Sequence, residues 1–211
     1  FERDLAEDKE GVPLLVHLAV KVARSRALVS QMTAPLHVSV VFAVYKEHER
    51  ILSADENPIG EDFLRRKVEQ MNWLFGAHEN FSWEIVVVDD GCPEGSGRIA
   101  SEIAASMGED RVRVLEIEKA IAEDHPATRP MKSAAESQKG GSIALGLHDA
   151  AWRKNSDHVV VFTDADLSTH LGQVGLLLDG IVNRGKDVAI GSRREETSIA
   201  IKQGTRNTRG K

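Results

Sequence analysis

The sequence has a single cysteine and no excess of basic residues. The cysteine, Cys92, excludes an internal disulfide and a cysteine-rich metal site, and such sparse cysteine usage favours a reducing compartment. The chain carries 27 Lys and Arg against 33 Asp and Glu, which gives a formal net charge of -6. Because nucleic-acid-binding surfaces are rich in Lys and Arg, this balance argues against nucleic acid as a partner.

The sequence also lacks an apolar run long enough to cross a membrane. The most apolar N-terminal run, residues 11–23, is interrupted by His17 and Lys21 and is too short for a bilayer core of roughly 30 Å. It has no signal-peptide cleavage pattern. We therefore predict a cytoplasmic protein, with peripheral association at the inner face of a membrane as an open alternative. Since the chain begins at Phe1 without Met and ends in a polar stretch, we expect it to be part of a longer protein.

The order of the apolar runs predicts two regions. Residues 1–35 are interpreted as an accessory helical segment and linker, and residues 36–211 alternate short β-branched runs with longer helical patterns. That alternation is typical of an α/β fold with a mostly parallel sheet and helices on both faces. The predicted strands are 38–44, 84–88, 112–117, 158–162 and 188–190, the predicted helices are 61–75, 97–107, 142–152 and 171–183, and a long loop, interpreted as a mobile flap, is predicted over 119–138. Ligands of such sheets bind at the carboxyl ends of the strands.

Two carboxylates follow the fourth predicted strand. Asp164 and Asp166, separated by one residue, stand directly after the apolar run 158–162. Mg²⁺ and Mn²⁺ prefer oxygen ligands and keep open positions for diphosphate oxygens, so a pair of carboxylates suits them. The alternative is that Asp164 caps a turn and Asp166 caps the next helix.

A second acidic strand end occurs at Asp89 and Asp90, where Gly91 permits a sharp turn. A carboxylate there can accept a hydrogen bond from a nucleobase or from a ribose hydroxyl. Because Asp-Gly is a common turn dipeptide, a purely structural turn is the competing interpretation.

Two further features suit a phosphate. Lys139, Gly140 and Gly141 precede a predicted helix, where backbone N–H groups, the helix dipole and the lysine charge favour an anion. The spacing is not that of a P-loop. Arg193 follows the last predicted strand, where a guanidinium can hold a phosphate in a bidentate manner. A tight loop and a solvated basic turn are the respective alternatives.

The order of these motifs resembles that of family 2 glycosyltransferases with the GT-A (Rossmann-like) fold, and within them the dolichyl-phosphate and polyprenyl-phosphate glucosyltransferases. The resemblance covers about residues 37–194 and is carried by these matching segments: 38–47, 88–91, 139–141, 163–169 and 191–193.

The resemblance implies an inverting transfer of a hexose from a nucleotide-sugar of the UDP-glucose or GDP-mannose type to a lipid phosphate or a saccharide, with Mg²⁺ or Mn²⁺ as cofactor. It implies catalytic roles for Asp166 and Arg193 and metal binding by Asp164 and Asp166. The residues implied to bind the donor are Tyr45, Glu47, Asp89, Asp90, Lys139, Gly140 and Asp164. Under this interpretation residues 36–211 are the nucleotide-sugar-binding domain, truncated on its acceptor side.

Three other functions remain open. In a haloacid-dehalogenase-like phosphatase Asp164 would be the nucleophile, but that motif comes early in its family and only 45 residues follow Asp166 here. A nucleotidyltransferase calls for a glycine-rich basic segment after the first strand, where this chain has Tyr45, Lys46 and Glu47. A non-catalytic domain that binds a nucleotide-sugar is the third alternative.

Overall fold

The computed structural model describes residues 12–152, 157–192 and 194–198, which divide into two compact units. The larger unit is Thr33–Leu171, and the smaller unit contains the described residues of 12–32 and 172–198. Over both units, the helices in chain order are α1 (Leu14–Val29), α2 (Phe63–Phe75), α3 (Ser96–Met107), α4 (Ile117–Ala122), α5 (Gly140–Trp152) and α6 (Val174–Leu178). The strands are β1 (Leu36–Val44), β2 (Phe81–Asp89), β3 (Val112–Glu116) and β4 (His158–Phe162).

The four strands form one sheet in the order β3-β2-β1-β4, and every neighbouring pair is parallel. β1 and β2 are buried over almost their whole length. Such continuous apolar runs are expected of strands that are covered on both faces. The chain adds β2 and β3 on one side of β1 and then returns to add β4 on the other. In open α/β sheets this reversal of strand order marks the ligand crevice, at the carboxyl ends of the strands.

Helices cover both faces of the sheet. The side chain of Val41 packs in one cluster with Leu145 of α5. The ring of its neighbour Phe42 meets Phe63 of α2 edge to face, with the ring centroids 6.2 Å apart. Because successive side chains of a strand point to opposite faces, α2 and α5 lie on opposite sides of β1. This confirms the predicted α/β class, a parallel sheet with helices on both faces, and is consistent with a GT-A architecture.

The predicted strand 188–190 is wrong. These residues belong to no strand, and Val188 and Ile190 are 71% and 82% exposed. A strand needs a neighbour for its backbone hydrogen bonds, and a run of three residues contributes too little buried surface to hold one in place. The predicted helix 171–183 is also divided, into a 3₁₀ turn (Leu171–Gln173), α6 and a π-helical turn (Asp179–Asn183).

The predicted loop 119–138 contains regular structure. It includes most of α4 and two 3₁₀ turns, Pro126–Thr128 and Ala134–Glu136. Ala120 is buried in the core cluster, and Met131 and Ala134 pack against that cluster. The segment is therefore attached to the core through apolar contacts that its Ala, Glu, Pro and Ser content conceals.

In the smaller unit, α1 packs against α6. A Cβ added at Gly175 would lie 2.5 Å from the backbone oxygen of Ser25, so only glycine allows the two helices to approach this closely. The ammonium of Lys21 donates a 3.0 Å hydrogen bond to the hydroxyl of Thr197. These contacts connect α1 with the C-terminal part of the same unit.

Candidate functional site

Three loops meet at the carboxyl edge of the sheet through Asp90, Lys139 and Asp164. The backbone N–H of Lys139 donates to Asp90 Oδ2 at 2.9 Å, and the Lys139 ammonium pairs with the carboxylate of Asp164. The hydroxyl of Ser142, in the first turn of α5, donates to Asp90 Oδ1 at 2.5 Å. Lys139 therefore connects the turn after β2 with the turn after β4. The structure brings together three residues that the sequence predicts for one site.

The loop before α5 has an unusual backbone. Gln138 and Lys139 adopt φ values of 47° and 63°, in the left-handed region that residues other than glycine rarely occupy. Such conformations cost free energy and are concentrated at functional sites. α5 begins at Gly140, and a Cβ added there would have no neighbour within 4 Å. The helix start thus has open space beside Gly140, while the backbone N–H groups of Gly140, Gly141 and Ser142 donate to oxygens of Gln138 and Ser137.

The two adjacent carboxylates after β2 have different environments. Asp89 is buried, and its two oxygens accept backbone hydrogen bonds from Cys92 and Gly97, each at 2.7 Å. It joins the end of β2 to the start of α3. Asp90 is partly exposed and faces the Lys139 loop. The base contact predicted for one member of this pair therefore fits Asp90 better by position, and binding by either residue stays a prediction.

Asp166 lies in the turn that follows β4. Its Oδ1 accepts a 3.1 Å hydrogen bond from the backbone N–H of Ser168, and its backbone oxygen accepts a 3.0 Å bond from the ammonium of Lys67. Burial acts to raise the pKa of Asp166, but the hydrogen bonds from Ser168 and the charges of Arg50 and Lys67 outweigh it and leave that pKa below its ordinary value. Asp166 is thus held as an anion within a set of cationic side chains.

Arg50 connects Asp166 with two glutamates. Its guanidinium donates to both oxygens of Glu61 at 3.0 Å, reaches Glu47 at 2.9 Å and lies 3.9 Å from Asp166 Oδ2. Burial raises the pKa of Glu47 in spite of the opposing charge of Arg50. Glu47, predicted to lie along the nucleoside, is therefore joined to the Asp166 turn through a guanidinium.

Tyr45 is the first residue after β1, and its side chain is 50% exposed. The ammonium of Lys46 lies 5.6 Å from the centroid of the Tyr45 ring. An exposed ring at the ligand edge provides a flat surface on which a nucleobase can stack. The position agrees with the predicted role of Tyr45 beside the nucleoside, and its contact with a base stays a prediction.

The carboxylate oxygens of Asp164 and Asp166 are ligands of the kind that a hard divalent cation prefers. Their side chains are 51% and 36% exposed, so their oxygens are accessible from solvent. Within residues 12–152, 157–192 and 194–198 no group of three or more His, Cys, Asp and Glu side chains gathers in a way that could hold a metal. Mg²⁺ is commonly held by one or two carboxylates together with phosphate oxygens, and this pair fits that pattern. Arg193, predicted to act on phosphate, lies outside the described residues.

Sequence reasoning missed Arg50 and Lys67. Arg50 falls in the polar segment 48–60, where charged residues are common and carry little information. Lys67 left a clearer signal, because it stands four residues after Phe63 and four before Met71, on the apolar face of α2. A lysine at such a position is rarely buried without a partner.

Comparison with known proteins finds similar curated proteins that share one name. The chain is 26% identical to a dolichyl-phosphate beta-glucosyltransferase of Drosophila melanogaster over 171 residues, 79% of this chain and 43% of that protein. The proteins of the same name in Mus musculus and Homo sapiens are each 26% identical, over 77% of this chain and 43% of their own length. The chain thus spans less than half the length of these curated relatives. No protein-family model matches it.

Among the described helices, none is both long enough and apolar enough to cross a membrane. The matches cover most of the chain, including the segments that carry its ordered acidic and glycine motifs. The chain is therefore similar to dolichyl-phosphate beta-glucosyltransferases, which confirms the resemblance to family 2 and polyprenyl-phosphate glycosyltransferases that its motifs predict.

Proposed function

We propose that this chain is the donor-binding part of an inverting, metal-dependent glycosyltransferase, which moves a hexose from a nucleotide-sugar to a polyprenyl phosphate. The observation that carries the proposal is the bridge of Lys139 between Asp90 and Asp164. It unites the proposed nucleoside side and the proposed diphosphate side of one crevice. The names of the relatives support a glucosyl donor and a dolichyl-phosphate type of acceptor.

The crevice offers separate groups to the parts of a nucleotide-sugar. Asp90 can accept a hydrogen bond from the base or the ribose, and the exposed ring of Tyr45 can stack on the base. The start of α5 would place the positive end of the helix dipole beside the diphosphate, and Lys139 adds a positive charge next to it. The donor would be of the UDP-glucose or GDP-mannose type.

Departure of the nucleoside diphosphate develops negative charge, which must be stabilised for the reaction to proceed. Mg²⁺ or Mn²⁺ bound by Asp164 and Asp166 would neutralise part of that charge. Lys139 is paired with Asp164 in the structure. Its flexible stem allows its ammonium to turn from that carboxylate towards a phosphate oxygen once a donor is present.

A phosphate acceptor simplifies the chemistry. A hydroxyl acceptor would need a general base to remove its proton, whereas a phosphate is already anionic at neutral pH. An inverting displacement by such an anion asks the protein only to align acceptor and donor and to stabilise the leaving group. An acceptor of this kind would bring the chain to the surface of a membrane.

A transfer assay and a nucleotide-binding titration, both with the full chain, test the proposal together. Radiolabelled UDP-glucose and GDP-mannose are offered with dolichyl phosphate in detergent, with and without Mn²⁺, and lipid-soluble label is counted. We expect Mn²⁺-dependent label from one donor, lost in Asp164→Asn and retained in Glu102→Gln, which removes an exposed carboxylate of α3. Absence of transfer together with absence of nucleotide binding would contradict the proposal. Release of phosphate from simple phosphate esters would favour the phosphatase alternative instead.

A further inference from the structure

Lys67 is a buried charged residue without a task in the donor-binding roles given above. It is 0% exposed, and its neighbours one helical turn away on the same face of α2, Phe63 and Met71, are also 0% exposed. Burial of an ammonium costs free energy that a methionine or leucine at the same place would avoid. The position therefore calls for an electrostatic explanation as well as a packing one.

The ammonium of Lys67 lies beneath the turn that carries both carboxylates. It donates a 3.0 Å hydrogen bond to the backbone oxygen of Asp166 and lies 5.4 Å from the centroid of the Phe42 ring. Burial lowers the pKa of Lys67 to about 8, while the charges of Asp166 and Asp164 act to raise it. The ammonium therefore interacts electrostatically with both carboxylates.

This placement affects cations and anions in opposite ways. An ammonium fixed beside Asp164 and Asp166 repels a divalent cation that approaches the two carboxylates. The same charge attracts a diphosphate that reaches the turn. Arg50 and Lys139 carry charges nearby, but their side chains are 32% and 54% exposed, so solvent screens them more strongly than Lys67.

We propose that Lys67 is a positioning residue of the donor site: its buried ammonium fixes the Asp164–Asp166 turn and offsets the charge of the two carboxylates, so that the site favours a cation together with a diphosphate over a cation alone. The proposal rests on the proposed function, because it assigns the diphosphate of a nucleotide to this turn. Lys67 does not reach the reacting atoms and acts through the turn that it holds.

Two substitutions separate the charge from the hydrogen bond. Lys67→Met removes both, and Lys67→Gln removes the charge while it retains an N–H donor. Calorimetric titration of the full chain with Mn²⁺ alone, and then with UDP and GDP at saturating Mn²⁺, measures the two affinities. We expect both variants to bind Mn²⁺ alone more tightly and the nucleotide less tightly than the parent, each by a factor on the order of ten.

The opposite changes in Mn²⁺ affinity and nucleotide affinity distinguish the proposed role of Lys67 from a merely structural one. If Lys67 only held the fold, its loss would weaken both affinities together, and Lys67→Gln would behave like the parent. Either result overturns the proposal. Arg66→Gln is the matched control, because it removes a charge from an exposed position of the same helix and should shift neither affinity. Unfolding curves show whether each variant is folded; if Lys67→Met is not, the Gln variant alone decides.

The titration with Mn²⁺ alone also separates this proposal from the proposed function. If the parent binds Mn²⁺ but neither nucleotide, the proposed function fails, and the preference for a diphosphate fails with it. An unchanged Mn²⁺ affinity in both Lys67 variants, with nucleotide binding intact in the parent, overturns the role of Lys67 alone. A parent that binds neither overturns both.

Discussion

The carboxylate of Asp89 accepts a 2.7 Å hydrogen bond from the backbone N–H of Gly97, in the first turn of α3. A Cβ on Gly97 would collide with that carboxylate, so the absence of a side chain is what allows the approach. The other Asp89 oxygen accepts from the N–H of Cys92 at 2.7 Å. The residue thus satisfies two backbone donors that the turn after β2 would otherwise leave unpaired.

We expect Asp89→Asn to lower the free energy of unfolding by about 1–3 kcal/mol. The amide nitrogen would replace one of the two accepting oxygens, so one backbone N–H donor would face another donor and lose its hydrogen bond. Asp90→Asn is the matched variant. One of the partners of Asp90 is the hydroxyl of Ser142, which can rotate to accept a bond from the amide, so its loss should be smaller. Urea unfolding measures both changes, and equal losses would contradict this division of roles.

Two glycines of α5 provide a second pair of variants. We expect Gly140→Ala to leave stability unchanged or to raise it by about 0.5–1 kcal/mol, since a Cβ there meets no atom within 4 Å and alanine favours a helix. Gly146→Ala should instead cost about 1–3 kcal/mol, because its Cβ would collide with Val41 and Val88 in the core.

Gly140→Ala should weaken nucleotide binding even though it does not weaken the fold. If a diphosphate approaches the backbone at Gly140, the added methyl group occupies part of its space and weakens the binding of UDP or GDP. Fluorescence or calorimetric titration of the folded variant measures this effect. Unchanged affinity would remove Gly140 from the donor site.

A buried polar network lies in the sheet away from the candidate site. Glu84 of β2 accepts hydrogen bonds from Ser39 of β1 at 2.6 Å and from Arg113 of β3 at 2.9 Å. Its Oε1 is 3.6 Å from the Nε2 of His37. Burial acts to raise the pKa of Glu84, but the contacts with His37, Arg113 and Ser39 more than reverse it and hold the pKa well below its ordinary value.

This network predicts an acid-sensitive contribution to stability. An unfolded glutamate titrates near pH ~4.3, so the contribution of Glu84 is complete above that pH and is lost as the pH falls towards its lower native pKa. Glu84→Gln should lower the free energy of unfolding at neutral pH by about 1–3 kcal/mol, since the amide nitrogen would replace an oxygen that accepts a hydrogen bond from a neighbouring side chain. It should also make stability fall less steeply between about pH 5 and about pH 3. Urea unfolding at several pH values tests this, with Glu102→Gln as an exposed control; parallel profiles for Glu84→Gln and the parent would argue against it.

Much of the sheet could be predicted from the sequence, because short continuous apolar runs are typical of strands that are buried on both faces. The fourth strand was predicted with the bounds that it has, and 38–44 and 84–88 lie inside β1 and β2. The error at 188–190 has a physical cause. Local β-propensity does not supply a hydrogen-bonding neighbour, and that neighbour decides whether a short run becomes a strand.

The candidate site was predictable where its residues follow strands or precede a helix, but the contacts of Lys67 and Arg50 were not. Asp90, Asp164 and Asp166 stand at strand ends, which parallel topology brings to one edge. Lys67 is 99 residues from the backbone oxygen that it contacts. Arg50 lies in a polar segment with no periodic pattern. Such contacts depend on tertiary packing, which a linear pattern does not encode.

The central claim is that Asp164 and Asp166 take part in metal-dependent binding of a nucleoside diphosphate, and thermal unfolding tests it most directly. The parent chain, Asp164→Asn and Asp166→Asn are melted with UDP and with GDP, each with and without Mn²⁺. A ligand at one hundred times its dissociation constant stabilises the folded state by roughly 2.7 kcal/mol, which is readily detected. We predict a rise in Tm with one nucleotide that requires Mn²⁺ and is absent in both variants. No rise in the folded parent with either nucleotide, or an equal rise in the variants, would contradict the claim.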